Sequence, residues 1–285
     1  MRIPSVIAFF VVSSALPAFA GRELPLAFLQ FDALYGSKNG DILAAEGFSG
    51  TRVFRISPDG VTAVAADGLR GPIDVADDDA GNLYVTNFND ATVSKVTPSG
   101  EETVFAHVLP NPSGIVRDSA GNFYVAHFGE SDPVTGFGTG NVVLKITARG
   151  TVSTFSEGGL LAAPVGIAVD AHDTVYVANF HDGKVLSLAR DGKQTLLADL
   201  TGPEISFAIG HIEVVNERVF ATGLQSQELF RVSLRNGRVR TRDISDRVSL
   251  PNGLTIDPVT GKLLVARAFG PNATLVRFNA GAHRD

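Results

Sequence analysis

Short apolar runs separated by Gly, Asp and Asn turns recur along the chain with regular spacing. One unit starts at Pro72, turns at Gly81-Asn82 and ends its second apolar run at Asn87. Similar units start near positions 31, 72, 112, 164, 208 and 251. Each run is short, rich in β-branched and aromatic residues and bounded by turn residues, which predicts strands. No helical period persists after the first twenty residues.

The spacing of the units predicts the architecture. Successive starts are 41, 40, 52, 44 and 43 residues apart, which is the period of a four-stranded propeller blade. The longest spacing contains an insertion at residues 129–140, which could be a lid over a ligand or a tolerated surface insertion. We therefore predict an all-β fold, a six-bladed β-propeller of four-stranded blades.

The last unit lacks a fourth strand. Strands are expected near 253–257, 263–267 and 274–278, after which the chain ends. The apolar segment 24–29 precedes the first unit, and we predict that it pairs as the outer strand of the last blade. Such pairing would join the two ends of the ring and remove an open sheet edge.

Residues 1–20 have the pattern of a signal peptide. Arg2 precedes a short apolar run, and Ala18-Phe19-Ala20 is a small-x-small cleavage pattern. We expect residues 21–285 to form a single exported domain, secreted or periplasmic and monomeric. The chain has no Cys, which excludes disulfides and thiolate chemistry, and its net charge of −6 argues against nucleic acid or an anionic membrane as a partner.

The repeat resembles a known class of propellers. Its pattern is Pro-x-Gly/Asp, an apolar run to Asp, then Gly-Asn-x-Tyr-Val-x-Asn, as in NHL-type repeats and SMP-30/gluconolactonase-like six-bladed propellers. The start of the last unit, Pro251 to Leu254, is especially similar to a lactonase-type blade. The chain also resembles streptogramin (virginiamycin B) lyases, although those have seven blades. The resemblance implies a fold that hosts unrelated functions.

Aligning the units places polar residues around one mouth of the predicted channel, where ligand sites are usual. The ends of the second strands are Glu46, Asn87, His127, Asn179, Gly223 and Arg267. The starts of the first strands supply Asp74, Ser113, Gly114, Gly210, His211, Asn252 and Gly253.

Acid–base chemistry is one interpretation of this mouth. His127 or His211 could carry a proton, Glu46 or Asp74 could orient it, and Arg267 could hold an anionic substrate. The catalytic candidates are therefore Glu46, His127, His211 and Arg267. The substrate-binding candidates are Asp74, Asn87, Asn179 and Arg267. A structural interpretation remains open, because Asn readily ends a strand and a lone His is commonly a hydrogen-bonded structural residue.

A divalent metal, Ca²⁺ first, is a second interpretation. Its candidate ligands are Glu46, Asn87, Asn179 and Asn252, which supply carboxylate and amide oxygens. The resemblance implies a lactonase ion held by Glu and Asn/Asp at blade starts. The positions that the sequence aligns with Asn252 do not reproduce that set, because they are Ile73, Ser113, Val165 and Ile209.

These patterns favour an exported propeller that binds a small polar molecule at the channel mouth, with hydrolysis of a lactone or ester there. Two alternatives stay open. The chain could be a non-catalytic NHL-type scaffold for a protein or glycan partner, or an enzyme similar to the streptogramin lyases.

Overall fold

The computed structural model describes residues 23–25, 31–133, 138–201, 209–268 and 274–280. Every regular element in these ranges is a β-strand, and the strands form six four-stranded antiparallel sheets. No described segment forms a helix with the length and hydropathy needed to span a bilayer. The predicted signal peptide, residues 1–20, lies outside the described residues.

The first three blades follow one another along the chain. Blade one contains β2 (Leu34–Gly36), β3 (Ile42–Ala45), β4 (Val53–Ile56) and β5 (Thr62–Ala66). Blade two contains β6 (Pro72–Asp77), β7 (Leu83–Asn87), β8 (Thr92–Val96) and β9 (Glu102–His107). Blade three contains β10 (Pro112–Arg117), β11 (Phe123–His127), β12 (Val142–Ile146) and β13 (Val152–Glu157).

The last three blades repeat this order, and the sixth borrows its outer strand. Blade four contains β14 (Pro164–Val169), β15 (Val175–Asn179), β16 (Lys184–Leu188) and β17 (Gln194–Asp199). Blade five contains β18 (Ile209–Val215), β19 (Arg218–Gly223), β20 (Glu228–Ser233) and β21 (Val239–Asp243). Blade six contains β22 (Pro251–Ile256), β23 (Leu263–Arg267), β24 (Thr274–Phe278) and β1 (Glu23–Pro25).

The closure predicted from the sequence is confirmed. Strand β1 pairs antiparallel with β24, with Glu23 opposite Val276 and Pro25 opposite Thr274. The observed strand spans Glu23–Pro25, whereas the prediction was 24–29, and residues 26–30 lie outside the described residues. The six-bladed, four-stranded architecture is therefore as predicted, with the first strand of the chain completing the last blade.

Apolar cores lie between consecutive blades. Tyr84 of blade two stacks on Phe123 of blade three with ring centroids 4.2 Å apart, and Phe105 packs against both rings. Phe123 is fully buried, so truncating it to Ala would cost about 3–5 kcal/mol. This packing holds blade two against blade three.

The tight turn between the first two strands of a blade has a local explanation. In blade two, Asp78 Oδ1 accepts hydrogen bonds from the backbone N–H groups of Ala80 and Asn82, both at 2.9 Å. Gly81 has φ +80°, a conformation that L side chains rarely adopt. The Asp-x-x-Gly-Asn pattern in the repeat therefore serves to form the turn between these two strands.

The insertion in blade three lies over the end of its second strand. Ser131 bridges Gly138, and the Gly140 N–H donates to the Phe128 carbonyl at 2.8 Å. Residues 134–137 of the insertion lie outside the described residues.

Candidate functional site

The inner strands of blades two to six each carry a bulge close to their start, and this bulge sets which residues line the channel. In blade six Pro251 pairs with Arg267, and in blade five Ile209 pairs with Gly223 in the same way. The counterpart of Asn252 is therefore Gly210, and the alignment of Asn252 with Ile209 was wrong by one residue. The sequence repeat alone does not reveal the shift, because blade five lacks the starting Pro.

Two rings of equivalent positions follow from this register. The first ring, one residue after each strand start, contains Asp32, Ile73, Ser113, Val165, Gly210 and Asn252. The second ring contains Ala33, Asp74, Gly114, Gly166, His211 and Gly253. Within the second ring only Asp74 and His211 carry long polar side chains, and they come from blades two and five, which are opposite in a ring of six.

His211 connects three blades. Its Nε2 lies 3.2 Å from Asp32 Oδ1 of blade one, and its Nδ1 lies 3.9 Å from Asp74 Oδ2 of blade two. Asn252 Nδ2 of blade six donates to the same Asp32 oxygen at 3.1 Å. His211 and Asp74 are buried, and Asp32 is the most exposed member of the group. We call Asp32, Asp74, His211 and Asn252 the channel cluster.

Close backbone approach makes room for this cluster. A Cβ at Gly210 would lie 2.3 Å from Asn252 Oδ1, and one at Gly166 would lie 2.6 Å from the Gly210 carbonyl oxygen. Neither distance is compatible with a side chain unless the strands move. Glycine at these two positions therefore permits the narrow channel in which one imidazole reaches two carboxylates.

Burial and the charges of the channel cluster shift the pKa values of His211 and Asp74. Burial lowers the pKa of His211, but the hydrogen bond to Asp32 and the charges of Asp74 and Asp32 outweigh it, so the pKa is raised. Burial raises the pKa of Asp74 to about 6, although His211 and the backbone N–H groups of Ile115 and Val75 oppose the shift. Burial thus favours the protonated form of Asp74, and the neighbouring carboxylates favour the protonated form of His211.

A second polar layer lies further along the same strands. Glu213 Oε2 accepts from Thr255 Oγ1 at 3.3 Å, and burial raises the pKa of Glu213 to about 7. The Tyr35 hydroxyl donates to Asp77 Oδ1 at 2.9 Å, and Ser37 donates to the other Asp77 oxygen. Burial, followed by the charge of Asp77, raises the pKa of Tyr35. This layer contains a second channel carboxyl group that titrates near neutral pH.

Glu46, a predicted catalytic residue and metal ligand, lies in a turn network. Its Oε2 accepts from the backbone N–H groups of Thr51 and Arg52 at 3.0 and 3.2 Å. Its Oε1 accepts from Arg52 Nη2 at 2.5 Å. Burial raises the pKa of Glu46, but these hydrogen bonds and the Arg52 charge outweigh it and lower the pKa overall. The geometry assigns Glu46 to holding the 46–52 turn.

Asn87 and Asn179 act in the same way in blades two and four. Asn87 accepts from the Arg70 N–H at 3.3 Å and donates to Thr92 and Ser94. Asn179 accepts from the Ala162 N–H at 3.1 Å and donates to the Leu160 carbonyl and Asp182. Both amides are completely buried and tie the incoming loop to the end of the second strand.

His127 and Arg267 occupy the equivalent positions in blades three and six. Burial lowers the pKa of His127, while its hydrogen bond to the Pro110 backbone raises it, and the net shift is downward. Among the described residues, neither His127 Nδ1 nor Arg267 Nε has a hydrogen-bond partner. No described contact connects either side chain to the channel cluster. Of the predicted site residues, the structure brings together Asp74, His211 and Asn252.

Aromatic rings line the same mouth. Phe88, Phe128 and Phe180 directly follow the ends of the second strands in blades two, three and four. Phe128 lies 6.0 Å from Phe88 and 5.6 Å from Phe180 between ring centroids, and all three rings are half-buried. We call these three residues the phenylalanine wall. The mouth therefore combines an apolar side with a charged channel.

The predicted metal ligands do not converge. Glu46, Asn87 and Asn179 bind separate turns, and the amide group of Asn252 donates to Asp32. Among the described residues, no group of three or more His, Asp or Glu side chains is arranged to hold a metal ion. These residues do not fit a resident divalent ion, and the chemistry below uses protein groups.

Sequence reasoning did not select Asp32 or Glu213. Asp32 lies in the degraded first repeat, and its equivalence with Asn252 appears only in the strand register. Glu213 follows His211 by two residues, which places it on the same side of β18. The sequence could have indicated Glu213 from this spacing. A carboxyl group is costly to bury inside an inner strand, so its presence there suggests a role in the channel.

Comparison with solved structures shows the fold. A gluconolactonase from Xanthomonas campestris is similar over 93% of this chain and 97% of its own, with a TM-score of 0.72 and 14% identity. A streptogramin B lyase matches over 90% of this chain and 97% of its own, with a TM-score of 0.63 and 14% identity.

A third similar structure is virginiamycin B lyase from Staphylococcus aureus, in a catalytically inactive histidine-to-alanine variant with quinupristin. It covers 86% of this chain and 80% of its own, with a TM-score of 0.64 and 18% identity. No family model matches the chain. No curated protein matches it either. The comparisons therefore support a propeller of the gluconolactonase-like architecture.

Proposed function

We propose that this chain is an exported hydrolase that cleaves the ester bond of a lactone or small ester at the channel mouth. The observation that carries the proposal is the buried His211 between Asp32 and Asp74. The structural similarity to a gluconolactonase supports the substrate class. The proposal includes export through residues 1–20 and action as a monomer on a small molecule.

The channel cluster supplies both an acid and a base. Asp32, its most exposed carboxylate, removes a proton from a water molecule, whose oxygen bonds to the acyl carbon as the carbon–oxygen ester bond breaks. The imidazolium of His211 gives its Nε2 proton to the leaving oxygen. The proton on Asp32 then returns to His211 across their 3.2 Å contact. Asp74 stabilises the charged imidazole and fixes its orientation.

The phenylalanine wall gives the substrate a second feature. Half-buried aromatic rings beside a polar cluster favour a molecule with an apolar part next to the ester group. We therefore expect aryl or alkyl-substituted lactones and esters to have lower KM values than fully hydroxylated ones.

The test is hydrolysis of a panel containing an aldonolactone, an alkyl-substituted lactone and an aryl acetate. Wild type should accelerate at least one of them, and His211→Asn and Asp32→Asn should each lower kcat by about 100-fold or more. The matched control is His172→Asn, because His172 is an exposed loop histidine and its removal should leave kcat unchanged. Melting temperatures of all variants establish that each is folded.

Two outcomes would overturn the proposal. Full activity in His211→Asn would place the chemistry elsewhere. No acceleration of any substrate by wild type would favour the scaffold alternative.

Adding a streptogramin to the substrate panel distinguishes hydrolysis from elimination. The inactive histidine variant among the similar structures and the buried His211 here favour including quinupristin in the panel. Hydrolysis adds the mass of one water to the opened product, whereas elimination leaves the mass unchanged. An unchanged mass would replace the hydrolase proposal with a lyase.

A further inference from the structure

Two blades differ from the other four at the position just before the end of the second strand. Blades two and five carry Thr86 and Thr222 there, and both side chains are completely buried. The other four blades carry alanine at this position, namely Ala45, Ala126, Ala178 and Ala266. Blades two and five also supply Asp74 and His211 to the second ring, whose other four members are alanine or glycine. The threonines therefore accompany the charged residues of the channel cluster.

The Thr86 hydroxyl group links Asp74 to blade three. It accepts a hydrogen bond from the Asp74 backbone N–H at 3.2 Å and donates to the Ser113 carbonyl oxygen at 2.7 Å. Blade three also contacts the Asp74 carboxylate, because the Ile115 N–H donates to Asp74 Oδ2 at 3.0 Å. This oxygen is the one that lies 3.9 Å from His211 Nδ1. Thr86 thus fixes the strand segment from which Asp74 projects.

Thr222 makes the matching link between blades five and six. Its hydroxyl group donates to the Asn252 carbonyl oxygen at 2.7 Å and lies 3.4 Å from the His211 carbonyl oxygen. The Asn252 side chain in turn donates to Asp32 Oδ1, the atom that His211 Nε2 contacts. One hydroxyl group therefore contacts the backbone of His211 and the backbone of the residue that holds Asp32.

Packing alone does not explain a threonine at this position. Alanine occupies the equivalent position of four blades, and a buried hydroxyl group is costly unless it is hydrogen-bonded. The hydroxyl group also occupies space in the channel wall, since a Cβ on Gly210 would lie 2.8 Å from Thr222 Oγ1. The two threonines are therefore explained by their hydrogen bonds, which run to the strands that carry the channel cluster.

We propose that Thr86 and Thr222 are positioning residues for the channel cluster. Thr86 holds the inner strand of blade two against blade three, and Thr222 sets the contact between His211 and Asp32. Each hydroxyl group bonds to the first-ring carbonyl oxygen of the next blade, so the same arrangement occurs on opposite sides of the channel. Proton transfer across a contact of hydrogen-bond length is sensitive to small displacements. The effect on catalysis rests on the hydrolase proposed above, whereas the effect on His211 does not.

Titration of the His211 imidazole by nuclear magnetic resonance tests the role of Thr222 without a substrate. Thr222→Val keeps the shape of the side chain and removes the hydroxyl group. The pKa of His211 should then fall, because burial lowers it and the contacts with Asp32 and Asp74 that raise it are loosened. Thr222→Ser retains the hydroxyl group and should have the wild-type pKa. Thr222→Ala is a second variant without the hydroxyl group, and four blades accommodate alanine at this position.

Thr92→Val is the matched control. Thr92 is also a buried threonine, and its hydroxyl group accepts from Asn87 Nδ2 at 3.0 Å, outside the channel cluster. Its replacement removes a buried hydrogen bond in the same way but should leave the pKa of His211 unchanged. Thr86→Val should lower this pKa, because it loosens Asp74, whose charge helps to raise it. Melting temperatures establish that each variant is folded.

Kinetics give the second measurement. On a substrate that wild type hydrolyses, Thr222→Val should lower kcat about tenfold and change KM less than about twofold, because the hydroxyl group orients protein groups. Thr222→Ser should recover kcat.

An unchanged pKa of His211 in folded Thr222→Val and Thr222→Ala, or an equal fall in Thr92→Val, would overturn the proposal. An unchanged value in Thr86→Val would overturn it for blade two. If wild type hydrolyses no substrate while the pKa of His211 responds as expected, the hydrolase proposal fails and the positioning role stands.

Discussion

His211 Nε2 lies 3.2 Å from Asp32 Oδ1, so the fifth blade contacts the first across the channel. This hydrogen bond and the Asp32 charge are two of the contributions that raise the pKa of His211. Asp32→Asn should therefore lower the pKa of His211, because the Asp32 charge no longer offsets the effect of burial, which lowers this pKa. Nuclear magnetic resonance titration of the imidazole measures it directly. Asp79→Asn is the control, since Asp79 is an exposed turn carboxylate, and an unshifted His211 in Asp32→Asn would contradict the contact.

The raised pKa values in the channel should make the protein less stable as the pH rises. The folded state holds protons on Asp74, Glu213 and His211 more tightly than the unfolded chain, so their contribution to stability is present at low pH. The contribution is lost as the pH rises through the folded pKa values, which are about 6 for Asp74, about 7 for Glu213 and above the ordinary value for His211. Urea unfolding at a series of pH values should show this decline.

Glu213→Gln isolates one part of that decline. Burial raises the pKa of Glu213 from 4.5 to about 7, and the variant cannot ionise there. At pH 8 we expect the variant to unfold at a higher urea concentration than wild type. Its free energy of unfolding should be higher by up to about 2 kcal/mol, a figure reduced for the partial exposure of the side chain. Glu217→Gln, at an exposed turn, should leave the slope unchanged. A slope in Glu213→Gln equal to that of wild type would assign the pH dependence to other groups.

Glu46 should prove structural. Glu46→Gln removes the carboxylate that accepts from the Thr51 N–H and from the Arg52 N–H and guanidinium. Loss of these bonds should cost about 1–2 kcal/mol of unfolding free energy while leaving kcat on an active substrate unchanged. Denaturant unfolding and steady-state kinetics measure the two effects. A large fall in kcat with unchanged stability would return Glu46 to the catalytic group.

The closing strand should contribute measurable stability. A chain that starts at residue 26 lacks β1 and exposes the edge of β24, whereas one that starts at residue 21 retains the strand. Losing the pairs at residues 23–25 should lower the unfolding free energy by roughly 2 kcal/mol and lower the melting temperature. Equal melting temperatures for the two chains would show that β1 does not hold the ring closed.

Divalent ions should have little effect on the described site. The side-chain oxygen atoms of Glu46, Asn87 and Asn179 accept hydrogen bonds in separate networks, and the amide nitrogen of Asn252 donates to Asp32. We expect EDTA and added calcium to shift the melting temperature by less than a degree or two, since a ligand bound only by the folded state would raise it. Elemental analysis of the purified protein checks metal content. A bound ion lost together with activity in Asp32→Asn would instead assign a metal to the channel cluster.

The blades were predictable because their period and turn residues repeat. Gly81 and Asn82 recur with a local physical role, so strand order and ring closure followed from counting. The direction of side chains at the second-strand ends did not follow. Asn87 and Asn179 share a position that could face either the channel or the incoming loop, and only the loop N–H groups of Arg70 and Ala162 decide it.

The channel cluster was partly predictable for a related reason. Asp74, His211 and Asn252 are polar residues at strand starts, where the sequence already indicated a mouth. Asp32 was missed because its repeat is degraded, and its equivalence with Asn252 follows only from the strand pairing.

The channel cluster also depends on the order in which the ribosome makes the chain. Asp32 belongs to the first blade synthesised, while Asn252 and the partner of β1 belong to the last. A nascent or truncated chain that lacks its sixth blade has neither the closing pair nor the full set of hydrogen bonds on Asp32. The complete channel cluster therefore forms only once the sixth blade has been synthesised and has folded against the first.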